Sequence, residues 1–220
     1  MGRLPSLLIA LAFAALTLLV WAFPNRPQAE PPWPERIQGF AFSPYRADQD
    51  PRTGSMPTET QIDEDLALLA GKTNAVRTYG VTGTLGKIPA LAAKHGINVG
   101  LGTWIGADRE QNEREIAEAI SLAAKHRNVV RVLIGNEVVL RREIPLSELI
   151  RYLDRARKAI GQPVSTAEPW HVWLAHPELA NHVDFLAVHI LPYWEGVPVE
   201  SAVDYTVQRI RELEAAFPDK

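Results

Sequence analysis

The 220-residue chain contains no cysteine. Thiol nucleophiles, disulfides and Cys-based zinc or iron–sulfur sites are therefore excluded by composition. Runs of Lys or Arg are missing too. The 23 basic and 26 acidic residues leave a formal charge of −3, and nothing gathers enough positive charge to displace counterions along a phosphate backbone. Nucleic acid is not an expected partner. No glycine-rich loop follows the first expected strand, which runs into Phe42-Ser43-Pro44-Tyr45-Arg46-Ala47-Asp48 with nothing to cradle a nucleotide phosphate. His171, His176, His182 and His189 crowd one stretch. HExxH and carboxylate–His spacings are absent, so neither a metal nor another cofactor is expected.

What the sequence does have begins at the N-terminus. Pro5 to Phe23 is an uncharged apolar run of nearly bilayer-spanning length, since a spanning helix needs about 20 apolar residues. Arg3 precedes it, and Asn25 to Pro34 is a proline-rich stretch that cannot continue a helix. The expected organisation is a membrane segment over 1–24, a linker over 25–35 and one globular domain over 36–220. The orientation is N-terminus inside and domain on the extracytoplasmic side of the cell membrane. Trp21 and Trp33 flank the segment as interfacial anchors. Cleavage as a signal peptide would make the protein secreted, but Val20-Trp21-Ala22 is a poor small-x-small site. With 46% hydrophobic and 22% charged residues, the chain has an ordinary globular composition.

From Arg36 onward, short apolar runs alternate with stretches of helical period, the pattern of βα units on a parallel sheet. Six strands are expected: Ile37 to Phe42, Ala75 to Tyr79, Ile97 to Trp104, Val129 to Asn136, Pro163 to Thr166 and Val183 to Leu191. Thr58 with Gln61 and Asp108 with Gln111 have capping-box spacing, and Ser147 and Ser201 are further cap candidates. Gly96 suits the left-handed residue that ends a helix. Each helix has one apolar face, such as Ile62-Leu66-Leu69 or Val203-Val207-Ile210, expected to cover the outside of the sheet. Strand after strand ends in groups able to bind or react: Arg77 and Tyr79, Thr103 and Trp104, Asn136 and Glu137, Glu168 and Trp170, His189 and Tyr193. Barrel enzymes gather such groups at the C-terminal rim, so the expected fold is an α/β (β/α)8 TIM barrel. Eight units usually need about 250 residues. The expectation is a barrel truncated after about six units.

A carboxylate directly after an apolar strand is partly desolvated, which favours its protonated form and suits it to proton donation. Glu137 is so placed. Asn136 beside it can hydrogen-bond a sugar hydroxyl without altering the charge. A helix-capping Glu137, or one paired with Arg141 or Arg142, is the plain alternative. Trp104, Trp170 and Trp194 each follow a strand and are expected on the rim, where aromatic faces stack on sugars, whereas Trp173 has the setting of a packing residue. His189 is read as a partner of substrate or of a catalytic carboxylate, or else as a satisfied core histidine.

Gly135-Asn136-Glu137-Val138 resembles the acid/base motif of glycoside hydrolase family 17, the β-1,3-glucanases and related glucan transglycosylases. Val76-Arg77-Thr78-Tyr79 is similar to the second-strand Arg-x-Tyr of that family and Val164-Ser165-Thr166-Ala167 to its fifth strand. Ala187-Val188-His189-Ile190-Leu191-Pro192-Tyr193-Trp194 is similar to its sixth-strand segment. The resemblance implies a (β/α)8 barrel, a β-glucan substrate, retention of anomeric configuration, and a sugar subsite lined by Tyr79, Asn136 and Tyr193. Retention needs a second carboxylate about 5 to 5.5 Å from the first. In the family it lies in a Glu-x-Gly-Trp-Pro motif after the seventh strand, and no such motif occurs here, so the nucleophile is expected beyond Lys220. Glu168 and Glu195 follow the wrong strands; Glu168 is expected to contact substrate or an arginine, and Glu195 to be a loop carboxylate. The alternatives are a non-catalytic, membrane-tethered glucan-binding module and the exported part of a glucan synthase.

Overall fold

Helix α1, Arg3–Ala22, takes Pro5 in its first turn, where a missing N–H costs nothing, and then runs through Ala, Leu and Phe without a breaker. The computed structural model describes residues 3–23, 25 and 32–220, in two compact units, Met1–Glu35 and Arg36–Lys220. Leu4–Ala22 has a mean hydropathy of 2.3 and is long and apolar enough to cross a membrane. Its large apolar side chains are exposed all round, the character of a helix without a core-facing stripe. Of the expected linker, residues 26–31 lie outside the described ones.

The second unit alternates strand and helix: β1 (Phe40–Ala41), α2 (Glu59–Leu69), β2 (Ala75–Arg77), α3 (Ile88–Lys94), β3 (Asn98–Thr103), α4 (Arg109–Lys125) and β4 (Val129–Asn136). It continues with α5 (Val138–Arg141), α6 (Leu146–Ala159), β5 (Val164–Pro169), α7 (Trp170–Ala175), β6 (Ala187–His189) and α8 (Ala202–Ala216). All six strands are parallel and each pairs with its neighbours in sequence. A doubly wound sheet would reverse its strand order at a switch point; the monotonic order is that of a partial (β/α) barrel, as the sequence predicts.

Local signals explain most boundaries. The Thr58–Gln61 capping box forms both of its bonds, at 3.2 and 2.9 Å. Asp108 accepts from Gln111 N at 3.0 Å, but the Gln111 amide turns away to Thr82 and Glu115, so only half of the second box forms. Ser147 is not a cap: Pro145 precedes α6 and places Ser147 inside its first turn. Ser201 adjoins α8 without a side-chain cap bond. Gly96 is left-handed, φ 66°, directly after α3. β5 runs to Pro169, beyond the expected end at Thr166, and takes Glu168 into the sheet. β6 is shorter than expected; ahead of it Asp184 N donates to Val164 O at 2.8 Å and the Asp184 carboxylate accepts from Val164 N at 2.8 Å and from Arg157.

Ile62, Leu66, Ile116, Leu149 and Leu153 from the helices meet Val76, Leu101, Val132 and Ile134 from the strands, all essentially without exposure. Each such side chain contributes roughly 1.5–3 kcal/mol on burial. Trp173 is fully buried with its Nε1–H on Ala187 O at 3.2 Å. One expectation fails: the Val203-Val207-Ile210 face of α8 is exposed, Val203 by 73%, and covers no sheet. α8 packs instead through Leu213 and lays Arg209 over the Trp170 ring at 4.6 Å.

Candidate active site

Glu137 leaves β4 in the left-handed region, φ 54° and ψ 35°, directly after Gly135 at φ 87° and Asn136. That conformation costs a non-glycine residue on the order of 1 kcal/mol, so its surroundings must impose it. They do so through Glu137 N on Ala167 O at 2.7 Å, Arg141 N on Glu137 O at 2.8 Å and Arg141 Nε on Asn136 O at 3.1 Å. Glu137 thus stands at the start of α5, yet its carboxylate makes no cap bond. Its Oε1 lies 2.7 Å from His189 Nδ1 at the end of β6. Arg141 turns elsewhere, to Glu143 and to Ile105 O at 2.6 Å. Capping and arginine pairing therefore do not account for Glu137.

Arg77, from the end of β2, ties the cluster together. Its Nη2 donates to Asn136 Oδ1 at 2.8 Å, and its Nη1 stands 3.4 Å from His189 Nε2. Arginine can only donate. His189 Nε2 must therefore accept, its proton sits on Nδ1, and Nδ1–H donates to Glu137 Oε1. Among the described residues no hydrogen bond reaches Glu137 Oε2, and the side chain is 24% exposed. The Arg77 guanidinium also stacks 4.2 Å from the Tyr79 ring centre, and burial holds its pKa below the usual arginine value. Both ring nitrogens of His189 are thus engaged within the cluster, Nδ1 with Glu137, the carboxylate partner that the sequence allowed it, and Nε2 with Arg77.

Glu168 also needs correction. It is 0% exposed, and its oxygens accept from Val139 N at 2.8 Å and Leu140 N at 3.3 Å, so it does not face substrate. Burial, reinforced by the nearby Glu137 charge, pushes its carboxyl up to about 7. Tyr193 and Trp194 are 81% and 78% exposed and meet edge to face at 5.2 Å. Among the described residues, neither makes a hydrogen bond or ring contact with the Glu137 cluster. Their turn, Pro192–Glu195, is fastened by the Glu195 carboxylate, which accepts from Trp170 Nε1 at 3.1 Å and from the Tyr205 hydroxyl. Trp104 is half-exposed with Arg141 stacked 4.4 Å from its ring centre. The remaining histidines of the crowded stretch separate: His176 pairs with Glu178 and His182 with Asp154.

Sequence reasoning set Arg77, Tyr79, Asn136, Glu137 and His189, which the fold does bring together, at strand ends, but did not foresee the pairing of Arg77 with Asn136 and His189. It also missed Glu115, a buried carboxylate that accepts from Val81 N, Thr82 Oγ1 and Trp104 N and so fixes the exits of β2 and β3. Burial raises its pKa. A hollow of ≈ 450 Å³ beside α5, lined by Val139, Arg142, Glu143 and His176 among others, does not include Glu137.

A parallel (β/α) barrel with a carboxylate, an amide and aromatic side chains at its C-terminal rim is the architecture of a sugar-processing enzyme class. The sequence pattern of the BtgE/BtgC glycoside hydrolase domain matches residues 39–220, and the chain belongs to that family. It is 24% identical over 189 residues to a cell surface mannoprotein of Candida albicans, covering 83% of this chain and 48% of that protein. It is also 24% identical over 184 residues to a glucan endo-1,3-beta-glucosidase of Emericella nidulans, covering 76% of this chain and 28% of that protein. The chain thus spans less than half the length of these curated relatives. An active-site mutant of Rhizomucor miehei beta-1,3-glucanosyltransferase, solved with laminaritriose, shares the fold at a TM-score of 0.72 and 24% identity, over 84% of this chain and 68% of that one. The resemblance to glycoside hydrolase family 17 is borne out.

Proposed function

We propose that this protein is a retaining glycoside hydrolase or transglycosylase acting on β-1,3-linked glucan, with Glu137 as its acid/base. One observation carries the proposal: His189 holds Oε1 of Glu137 at 2.7 Å, which leaves Oε2 to carry a proton towards the rim. A second carboxylate bonds to the anomeric carbon as the glycosidic C–O bond breaks and that proton passes to the leaving oxygen; Glu137 then deprotonates the incoming water or sugar hydroxyl, whose oxygen displaces the carboxylate from the sugar. Asn136, oriented by Arg77, binds a hydroxyl of the attacked sugar, while Tyr79, Tyr193 and Trp194 supply faces against which sugars lie. Glu168 is buried and Glu195 is bound by Trp170 and Tyr205, so neither serves as the second carboxylate. The glucanase and glucanosyltransferase among the relatives support this substrate class. Helix α1 tethers the barrel to the extracytoplasmic face of the membrane, or exports it if cleaved.

The exposed Tyr193 and Trp194 equally suit a glucan-binding module without chemistry. Turnover separates the two readings. Incubated with laminari-oligosaccharides, the full gene product yields shortened or lengthened chains, and Glu137→Gln reduces their formation by about 100-fold or more. Binding without any product in the wild type selects the module.

A further inference from the structure

Glu168 is a buried carboxylate that the proposed reaction does not use. Its two oxygens receive the amides of Val139 and Leu140, the second and third residues after Glu137. Among the described residues no cation makes a salt bridge to it: Arg141, the basic group that faces it, is bound to Glu143, Asn136 O and Ile105 O. A glutamine could accept only one of these N–H groups and would set its own NH2 against the other, so the pair of amides calls for a carboxylate despite the desolvation cost of burying one.

We propose that Glu168 is a positioning residue for Glu137: its carboxylate grips the Val139 and Leu140 amides, holding the left-handed turn from which Glu137 reaches His189. The inference rests on the reading of Glu137 as acid/base. Backbone bonds from Glu137 N and Arg141 N and the Arg141 side chain hold the two ends of the turn, and Glu168 holds the two amides between them. Releasing the Val139 and Leu140 amides lets Glu137 relax towards an unstrained backbone and swings its carboxylate away from His189. Charge adds a second effect. The Glu168 carboxylate is the stronger acceptor for the two amides and the protonated acid the weaker, so the grip loosens as Glu168 takes up its proton. The ionisable groups facing it from the packed elements are Glu137 after β4 and Arg141 on α5, with His189 paired across from Pro169 on β6.

The test follows the amide chemical shifts of Val139 and Leu140 in the 15N-labelled full-length protein between pH 5 and 9, together with kinetics on laminari-oligosaccharides. Both amides are expected to titrate together with a midpoint near that of Glu168, and the response is absent in Glu168→Gln. The same variant loses about 10- to 100-fold in kcat with little change in KM. Amides insensitive to pH in the wild type, or a Glu168→Gln enzyme with wild-type kcat, overturn the proposal. The amide titration needs no catalysis and remains decisive if Glu168→Gln fails to fold. Full turnover by Glu137→Gln beside titrating amides would overturn the acid/base assignment and leave Glu168 as the holder of the turn.

Discussion

Replacing Gly135 by alanine tests how the Glu137 turn is built. Gly135 has φ +87°, and a Cβ added there stands 2.4 Å from Val138 Cγ2 and 3.4 Å from Ile105 Cβ. Val138 is 1% exposed and Ile105 0%, so neither can step aside into solvent. The backbone conformation costs an L-residue about 1–2 kcal/mol, and overpacking a buried site about 1–3 kcal/mol. Gly135→Ala is therefore expected to lose about 3 kcal/mol in urea unfolding, or about 10 °C in Tm for a domain of this size. Removing the clashing methyl in Gly135→Ala/Val138→Ala should return about 1–2 kcal/mol beyond additivity. A loss below about 1 kcal/mol, or single and double variants additive within about 0.5 kcal/mol, refutes the reasoning.

Two further outcomes follow from the same geometry. Burial takes the Glu168 carboxyl from an ordinary value of 4.5 up to about 7, so the folded chain holds this proton where the unfolded chain releases it. Stability from this group is whole below about pH 4.5 and falls by about 3 kcal/mol as pH rises through 7; urea midpoints measured from pH 4.5 to 8 should show the slope, and Glu168→Gln should remove it. Trp194→Ala, a change at a side chain 78% exposed, should leave Tm within about 1 °C yet weaken laminari-oligosaccharide binding about 10-fold, on the order of 1.4 kcal/mol by calorimetry.

The fold was legible because its signals are local. Apolar runs such as Val129 to Asn136 and the Thr58–Gln61 box need only their own neighbours to be read, and the strand order follows from their alternation with helices. Glu137 stood out because a charged group directly follows the apolar run of β4. Arg77 was legible as a strand-end group but its partners were not: Asn136 and His189 lie 59 and 112 residues away, and only the curling of the sheet brings them to one place. Glu168 was misread because Glu and Pro are poor strand formers, so β5 was expected to stop at Thr166. The Val203-Val207-Ile210 stripe shows the opposite limit, since helical period reports which face is apolar and says nothing of what covers it.

The acid/base role of Glu137 is tested most directly by the leaving group. A 2,4-dinitrophenyl β-glucoside or β-laminaribioside departs without a proton, whereas a glucan hydroxyl does not. Glu137→Gln, in the full gene product, is predicted to lose about 100-fold or more on laminari-oligosaccharides while releasing the first equivalent of dinitrophenolate at close to the wild-type rate. Equal losses on both substrates, or none on either, contradict the assignment.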